Sequence, residues 1–173
     1  MRSALTAVVA GLASTAAVAA ALTYTTPQGW IARPPSSSMR VAEFVLPHVP
    51  GDTADAELVV YYFGGEGGSV EANMQRWIGQ MRQPGGGSSQ AAAKRAVRTV
   101  NGLKVTLLDV SGTYTAEMRP GSAEHHDNPD YRMRAGVVET PKGPYFIKLV
   151  GPAKTVGRWE RAFDRFVDSL NFA

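Results

Sequence analysis

Cysteine is absent from this chain. No disulfide, thiolate metal site, thiol nucleophile or lipid-modified N-terminal Cys can therefore form. The fold has to be held by packing alone, which about 150 residues can manage. Charge is also sparse. Eighteen Lys and Arg stand against fifteen Asp and Glu, a net of +3, and loss of Arg2 with a leader would lower it by one. No basic run interleaved with aromatics occurs, so nucleic acid is not an expected partner. The balance allows only a weak pull toward an anionic surface. The chain also lacks a Gly-x-Ser-x-Gly elbow, and its glycine-rich run over residues 64–68 lacks the Lys-Ser/Thr that completes a phosphate-binding loop.

What is present begins with a leader-like segment. One charge, Arg2, precedes an uncharged run from Ala4 to Ala21 that ends in Val18-Ala19-Ala20-Ala21. Small residues one and three positions before the cut suit a signal peptidase. The run approaches spanning length, but it is mostly Ala, Thr, Ser and Gly, which favours cleavage over anchoring. Residues 1–21 are expected to be a signal peptide cut after Ala21, with one or two residues earlier nearly as good. Residues 22–173 then form a single domain, exported to a periplasmic or extracellular space. Membrane contact is expected only if the leader stays attached.

The remaining 44% hydrophobic chain is rich enough in apolar residues for a real core. Trp30, after the Pro27–Gly29 turn, reads as an early core anchor. In Met39 to Leu46, Ala42, Phe44 and Leu46 share one face of a strand. Glu57 to Phe63 is apolar on both faces, as a strand covered on two sides would be. Ser69 is a good N-cap for a helix whose Val70, Met74, Trp77, Ile78 and Met81 form one apolar stripe. Pro84 to Ser89 reads as a flexible loop. Arg95–Val100 and Leu103–Val110 flank Asn101-Gly102, a two-residue hairpin turn. A polar stretch leads to a strand over Tyr131–Thr140, in which Tyr131, Met133, Ala135 and Val137 oppose Arg132 and Arg134. Tyr145–Val150 is another strand, broken by Gly151-Pro152. Thr155 can cap a last helix, with Val156, Trp159, Phe163, Phe166, Val167 and Leu170 on its apolar side. Short turns between strands dictate antiparallel pairing, and two amphipathic helices need a sheet to cover, giving an α+β domain.

Several residues together resemble the PsbP-like superfamily. They are the Tyr24…Pro27-Gln-Gly-Trp30 opening, the Met39-Arg-Val-Ala-Glu-Phe-Val-Leu-Pro47 strand, the Asn73-Met-Gln-Arg76-Trp77 helix and the terminal Asp168-Ser-Leu. That group includes the extrinsic photosystem II protein PsbP, a Ran-binding nuclear import factor and bacterial periplasmic proteins. The resemblance spans roughly residues 24 to 171. It implies an antiparallel sheet flanked by helices in an α/β/α sandwich. It implies no catalytic residues, since such a fold hosts unrelated tasks.

Two clusters could carry chemistry. Asn73, Arg76 and Gln80 lie on one edge of the first helix beside Trp77, where they could line a groove and bind an anionic or carbonyl-bearing ligand. The structural alternative is that Asn73 and Arg76 tie the helix to a neighbouring loop or strand. His125, His126, Asp127 and Asp130 are metal-like in type, but adjacent His side chains converge poorly and helical spacing is missing. His48 stands alone near a strand end. Gly64-Gly65-Glu66-Gly67-Gly68 precedes a helix N-terminus and could face an anion. Asp109 and Lys148 are charges within apolar strands that either pair across the sheet or mark a cavity. The expected function is a non-catalytic exported module that binds a protein partner or small ligand, with no cofactor. The alternatives are a metal- or His-dependent hydrolase and a membrane-tethered accessory subunit.

Overall fold

The computed structural model describes residues 21–173. The leader expected over residues 1–21 lies outside them, except for Ala21. In chain order the elements are β1 (Leu22–Thr23), β2 (Ile31–Arg33), β3 (Arg40–Leu46), β4 (Ala56–Tyr62), α1 (Val70–Gly79) and β5 (Met81–Arg82). There follow α2 (Ser89–Ala92), β6 (Lys94–Val100), β7 (Leu103–Tyr114), β8 (Asn128–Thr140), β9 (Gly143–Pro152), α3 (Ala153–Asp168) and β10 (Asn171–Phe172).

Eight strands form one antiparallel sheet in the order β2-β3-β4-β9-β8-β7-β5, with β6 also paired to β7. The Asn101-Gly102 hairpin forms as expected, both residues at positive φ. Alternation along the strands divides the core in two. Ala42, Phe44, Leu46, Leu58, Val60, Ile147 and Leu149 pack with Phe163, Phe166, Val167 and Leu170 of α3. Leu108, Val110, Met133, Ala135, Val137 and Phe146 point the other way and pack with Met74, Trp77 and Ile78 of α1. Trp30 is buried against Phe44 and Phe166. The protein is thus α+β, with helices on an antiparallel sheet.

Four local expectations change. The stripe of α1 stops at Ile78, and Met81 belongs to β5, opposite Tyr114; it still joins the same core, so periodicity alone could not separate helix from strand. The Pro84–Ser89 segment holds a 3₁₀ turn and leads directly into α2, where Ser88 caps Ala91. Gly151 and Pro152 continue β9, opposite Arg132 and Tyr131. Gly151 is needed there because a Cβ would come within 2.5 Å of the Ala56 side chain. Finally, α3 starts at Ala153, so Thr155 is not its cap. Its backbone N–H and its hydroxyl both donate to Asp52 Oδ2, at 3.1 and 2.6 Å. A carboxylate from a distant loop therefore serves the helix N-terminus, where negative charge is favoured.

Candidate functional site

The two helices cover unequal areas. At about 1.5 Å per residue, a ten-residue helix such as α1 is about 15 Å long. Seven strand positions at about 4.8 Å spacing make a sheet about 29 Å wide. The part of that face which α1 leaves uncovered is a cavity of about 760 Å³. One side is α1 itself, through Arg76, Gly79 and Gln80; the floor is Val59 and Tyr61 of β4 with Lys148 and Val150 of β9. The register places Val59 opposite Lys148 and Tyr61 opposite Phe146, so these side chains share one face. Tyr114 and the following segment, with Ala116, Met118, His125 and His126, form the remaining wall.

Arg40 reaches this cavity through a break in alternation. Arg40 pairs with Tyr61 and Ala42 with Val60, so β3 holds one extra residue there. Such a bulge turns everything beyond it to the opposite face. Ala42, Phe44 and Leu46 face α3, whereas Arg40 lies over the Tyr61 ring, 5.5 Å from its centroid. Arg40 Nη1 also donates to Glu57 Oε1 at 3.1 Å and lies 3.3 Å from Glu43 Oε1. Both carboxylates near the cavity floor are thereby answered by one guanidinium.

Lys148 is answered differently. Its ammonium donates to Gln80 Oε1 at 2.7 Å and to Tyr114 Oη at 3.0 Å, both neutral acceptors. Burial, reinforced by the Arg76 charge and opposed by Glu57, lowers its pKa from the ordinary 10.5 to about 8. Burial likewise pushes the Tyr114 phenol up to about 12. Arg76 Nη2 donates to Asn73 Oδ1 at 2.6 Å. Among the described residues neither Arg76 nor Lys148 is ion-paired with a carboxylate.

The structure separates the residues proposed from sequence. Arg76 and Gln80 line the cavity. Trp77 is buried in the core beneath it. Asn73 is buried too, and its amide donates to Gly67 O and Ser69 O, both at 2.9 Å. It ties α1 to the preceding loop. The glycines of that loop serve close packing: a Cβ on Gly67 would meet Phe146 at 2.5 Å. Lys148 marks the cavity, whereas Asp109 is on the other face, accepting from Arg132 Nη2 at 2.6 Å. Arg134, 4.5 Å from the Phe163 ring centroid, extends this network to Asp164 of α3.

The His125–Asp130 group is dispersed. His125 Nδ1 lies 2.9 Å from Thr115 O, and the His126 ring packs against Tyr114. Asp127 accepts from Arg82 at 2.7 Å. Asp130 has a φ of 55° at the point where β8 gains a residue against β7, a bulge position. No three His, Asp or Glu side chains among the described residues converge as a metal site would require. His48 has a partner that sequence reading missed: its Nδ1 lies 2.7 Å from Asp55 Oδ1, which holds that carboxyl below its usual range. Among the described residues no hydroxyl bonds the other ring nitrogen.

With this geometry in hand, comparison with solved structures is informative about architecture. The crystal structure of LpqN, involved in cell envelope biogenesis of Mycobacterium tuberculosis, matches with a TM-score of 0.54 and 12% identity, over 92% of this chain and 87% of that one. A Pseudomonas aeruginosa protein of unknown function, PA94, matches with a TM-score of 0.50 and 18% identity, over 75% and 80%. The likeness is one of fold. The solution structure of cyanobacterial PsbP from Synechocystis sp. PCC 6803, a member of the group the sequence resembles, reaches a TM-score of 0.48 at 12% identity, over 95% and 98%. No protein-family model and no curated protein sequence matches the chain.

Arg40, Tyr61, Tyr114 and Val59 are cavity residues that the sequence reading did not single out. Tyr61 and Tyr114 looked like ordinary strand aromatics. For Arg40 the strict alternation of Ala42, Phe44 and Leu46 pointed to the wrong face. A bulge has no composition signature strong enough to be read there.

Proposed function

We propose that this protein is an exported, non-catalytic binding module that holds a small ligand in the cavity beside α1. The fold is read as an α/β/α sandwich whose shorter helix leaves that cavity open. The carrying observation is Gly79. It lines the cavity on the last turn of α1, and a Cβ built there meets nothing within 4 Å. Its backbone is helical, so neither a positive φ nor a close approach calls for glycine. What glycine leaves behind is open volume at the mouth. The cavity size is in the range of small-molecule sites, which run about 300–1,000 Å³.

Export is supported by the leader-like residues 1–21, and no helix among the described residues is long and apolar enough to cross a membrane. LpqN's role in cell envelope biogenesis is compatible with such a destination. Catalysis has less support: among the described residues His48 and Asp55 lack a bonded nucleophile, and the cavity lysine faces neutral partners.

Gly79→Trp tests the reading, because the indole would occupy the mouth without a backbone clash. Protein isolated gently from its own host should carry a small molecule in native mass spectra. Gly79→Trp should lose that mass while melting at the same temperature or higher. Retention of the same ligand by the variant would place the site elsewhere, and turnover of a substrate abolished by Gly79→Trp would make the protein an enzyme.

A further inference from the structure

Resting on the cavity reading, we propose that Arg76 and Lys148 form an anion subsite for a ligand with a carboxylate or phosphate group on an apolar, aromatic-sized body. Three cations face the cavity: Arg40, Arg76 and Lys148. The facing carboxylates are Glu57 and Glu117. Glu57 is held by Arg40, and Glu117 accepts from the backbone N–H of Gly121 at 2.7 Å, at the exposed rim. Among the described residues, Arg76 and Lys148 are left facing the same space without a carboxylate in ion-pair contact.

Their relative placement follows from the helix. Gln80 is one turn beyond Arg76, and i, i+4 side chains are neighbours on a helix surface. Gln80 Oε1 accepts from Lys148 Nζ at 2.7 Å, so an amide at the end of α1 fixes the ammonium in the cavity that Arg76 also lines. Asn73, itself buried and fixed by the two hydrogen bonds its Nδ2 donates, restrains the guanidinium by accepting from Arg76 Nη2 at its Oδ1, at 2.6 Å. Both cations are therefore positioned by neutral amides that leave their charge uncancelled. Withdrawing the Lys148 charge from water without a paired opposite charge is unfavourable, and an entering anion relieves that cost there while accepting charge-assisted hydrogen bonds from the more exposed Arg76. Around them, Val59, Tyr61, Tyr114, Ala116 and Val150 offer apolar and aromatic wall for the rest of the molecule.

The test is an NMR titration of the ¹⁵N-labelled protein with benzoate, phenyl phosphate and the neutral isostere benzamide. Both anions should shift the backbone amides of Gln80, Ala116 and Lys148, and benzamide should not. Whichever anion binds more tightly identifies the headgroup. Arg76→Gln and Lys148→Met should each weaken anion binding at least tenfold, while Arg165→Gln on the exposed side of α3 leaves it unchanged. Unaltered dispersion of the remaining amides shows that the variants are folded. Equal shifts with benzamide, or full anion affinity in both variants, would overturn the anion subsite and leave the cavity reading standing. Silence of the cavity amides toward all three probes at millimolar concentration would sink both.

Discussion

A lysine buried among neutral partners binds its proton less tightly in the folded chain than in the unfolded one, and at Lys148 this gives stability a definite pH dependence. Its folded pKa of about 8 lies below the ordinary 10.5. Between those values the unfolded chain keeps a proton that the folded chain has released, so stability rises with pH across that window. Below about pH 8 both states are protonated, and the full cost of the buried charge is present. Tyr114 acts in the opposite sense higher up. Raised to about 12, it stays neutral in the folded chain after the unfolded phenol ionises near 10, so its contribution is lost as pH climbs further. Urea unfolding of wild type and Lys148→Met between pH 7 and pH 10 should show the pair of curves converging. The wild type gains on the variant by about 2 kcal/mol, a figure discounted from about 1.4 kcal/mol per pKa unit because the side chain keeps some exposure to solvent. A constant gap would show that Lys148 keeps its ordinary proton affinity. Lys148 was legible from sequence as a charge in an apolar strand. Which of its two readings held depended on the α1 register, because Gln80 had to reach it.

At the scale of the element, most of the fold was legible and the ends were not. Strands β3, β4 and β6 to β9 and both longer helices follow from alternation, stripe and turn chemistry in their own residues. Their termini are set by partners far along the chain. Asp52 shows this for α3: it lies 103 positions from Thr155, whose N–H and hydroxyl it accepts. No local pattern around Thr155 could reveal a cap supplied from the loop after β3, and a Thr near a helix start reads naturally as the cap itself. The geometry sets a cost. Asp52→Ala should lower stability by about 1–2 kcal/mol, as loss of an N-cap does. Asp52→Asn should restore much of that, since its amide oxygen can still accept. Thr155 is fully buried, so Thr155→Val tests its hydroxyl at nearly constant volume and should cost a comparable amount. Chemical denaturation of the three variants checks the ranking. Equal stability of Asp52→Ala and wild type would mean that water replaces the carboxylate.

Helix α3 also contains Gly157, where a Cβ meets nothing within 4 Å, as at Gly79. Glycine within a helix costs roughly 0.5–1 kcal/mol relative to Ala. Gly157→Ala and Gly79→Ala should therefore both raise the melting temperature, Gly79 by less because it ends its helix. The two differ in consequence. Gly157 lies outside the cavity, so its replacement should leave the host-derived ligand in place, whereas bulk at Gly79 removes it.

Across the whole molecule, the first and last described strands close on each other. Leu22 pairs with Phe172 and Thr23 with Asn171. Beyond that pair, Ala21 N–H donates to Ala173 O at 2.7 Å, and Ala173 N–H donates to Ala21 O at 3.2 Å. Leu22 and partly buried Tyr24 then enter the core that holds α3, Tyr24 against Phe44 and Phe166. This pairing bears on how stable a chain cut at one position or another would be. A cut after Ala21 removes one member of the Ala21–Ala173 exchange, worth about 1 kcal/mol per hydrogen bond. A cut after Ala19 also meets the small-residue rule, with Ala17 and Ala19 at the required positions, and leaves Ala21 in place. A chain starting at Ala20 should therefore melt above one starting at Leu22 by an amount equivalent to about 1–2 kcal/mol, and equal melting temperatures would show that the Ala21–Ala173 exchange contributes nothing. A shortened chain starting at Tyr24 gives the energetic side. It loses the β1–β10 ladder and the burial of Leu22, and should melt below the longer form by an amount equivalent to about 2–3 kcal/mol. If both forms melt together, the ladder and the burial of Leu22 contribute little.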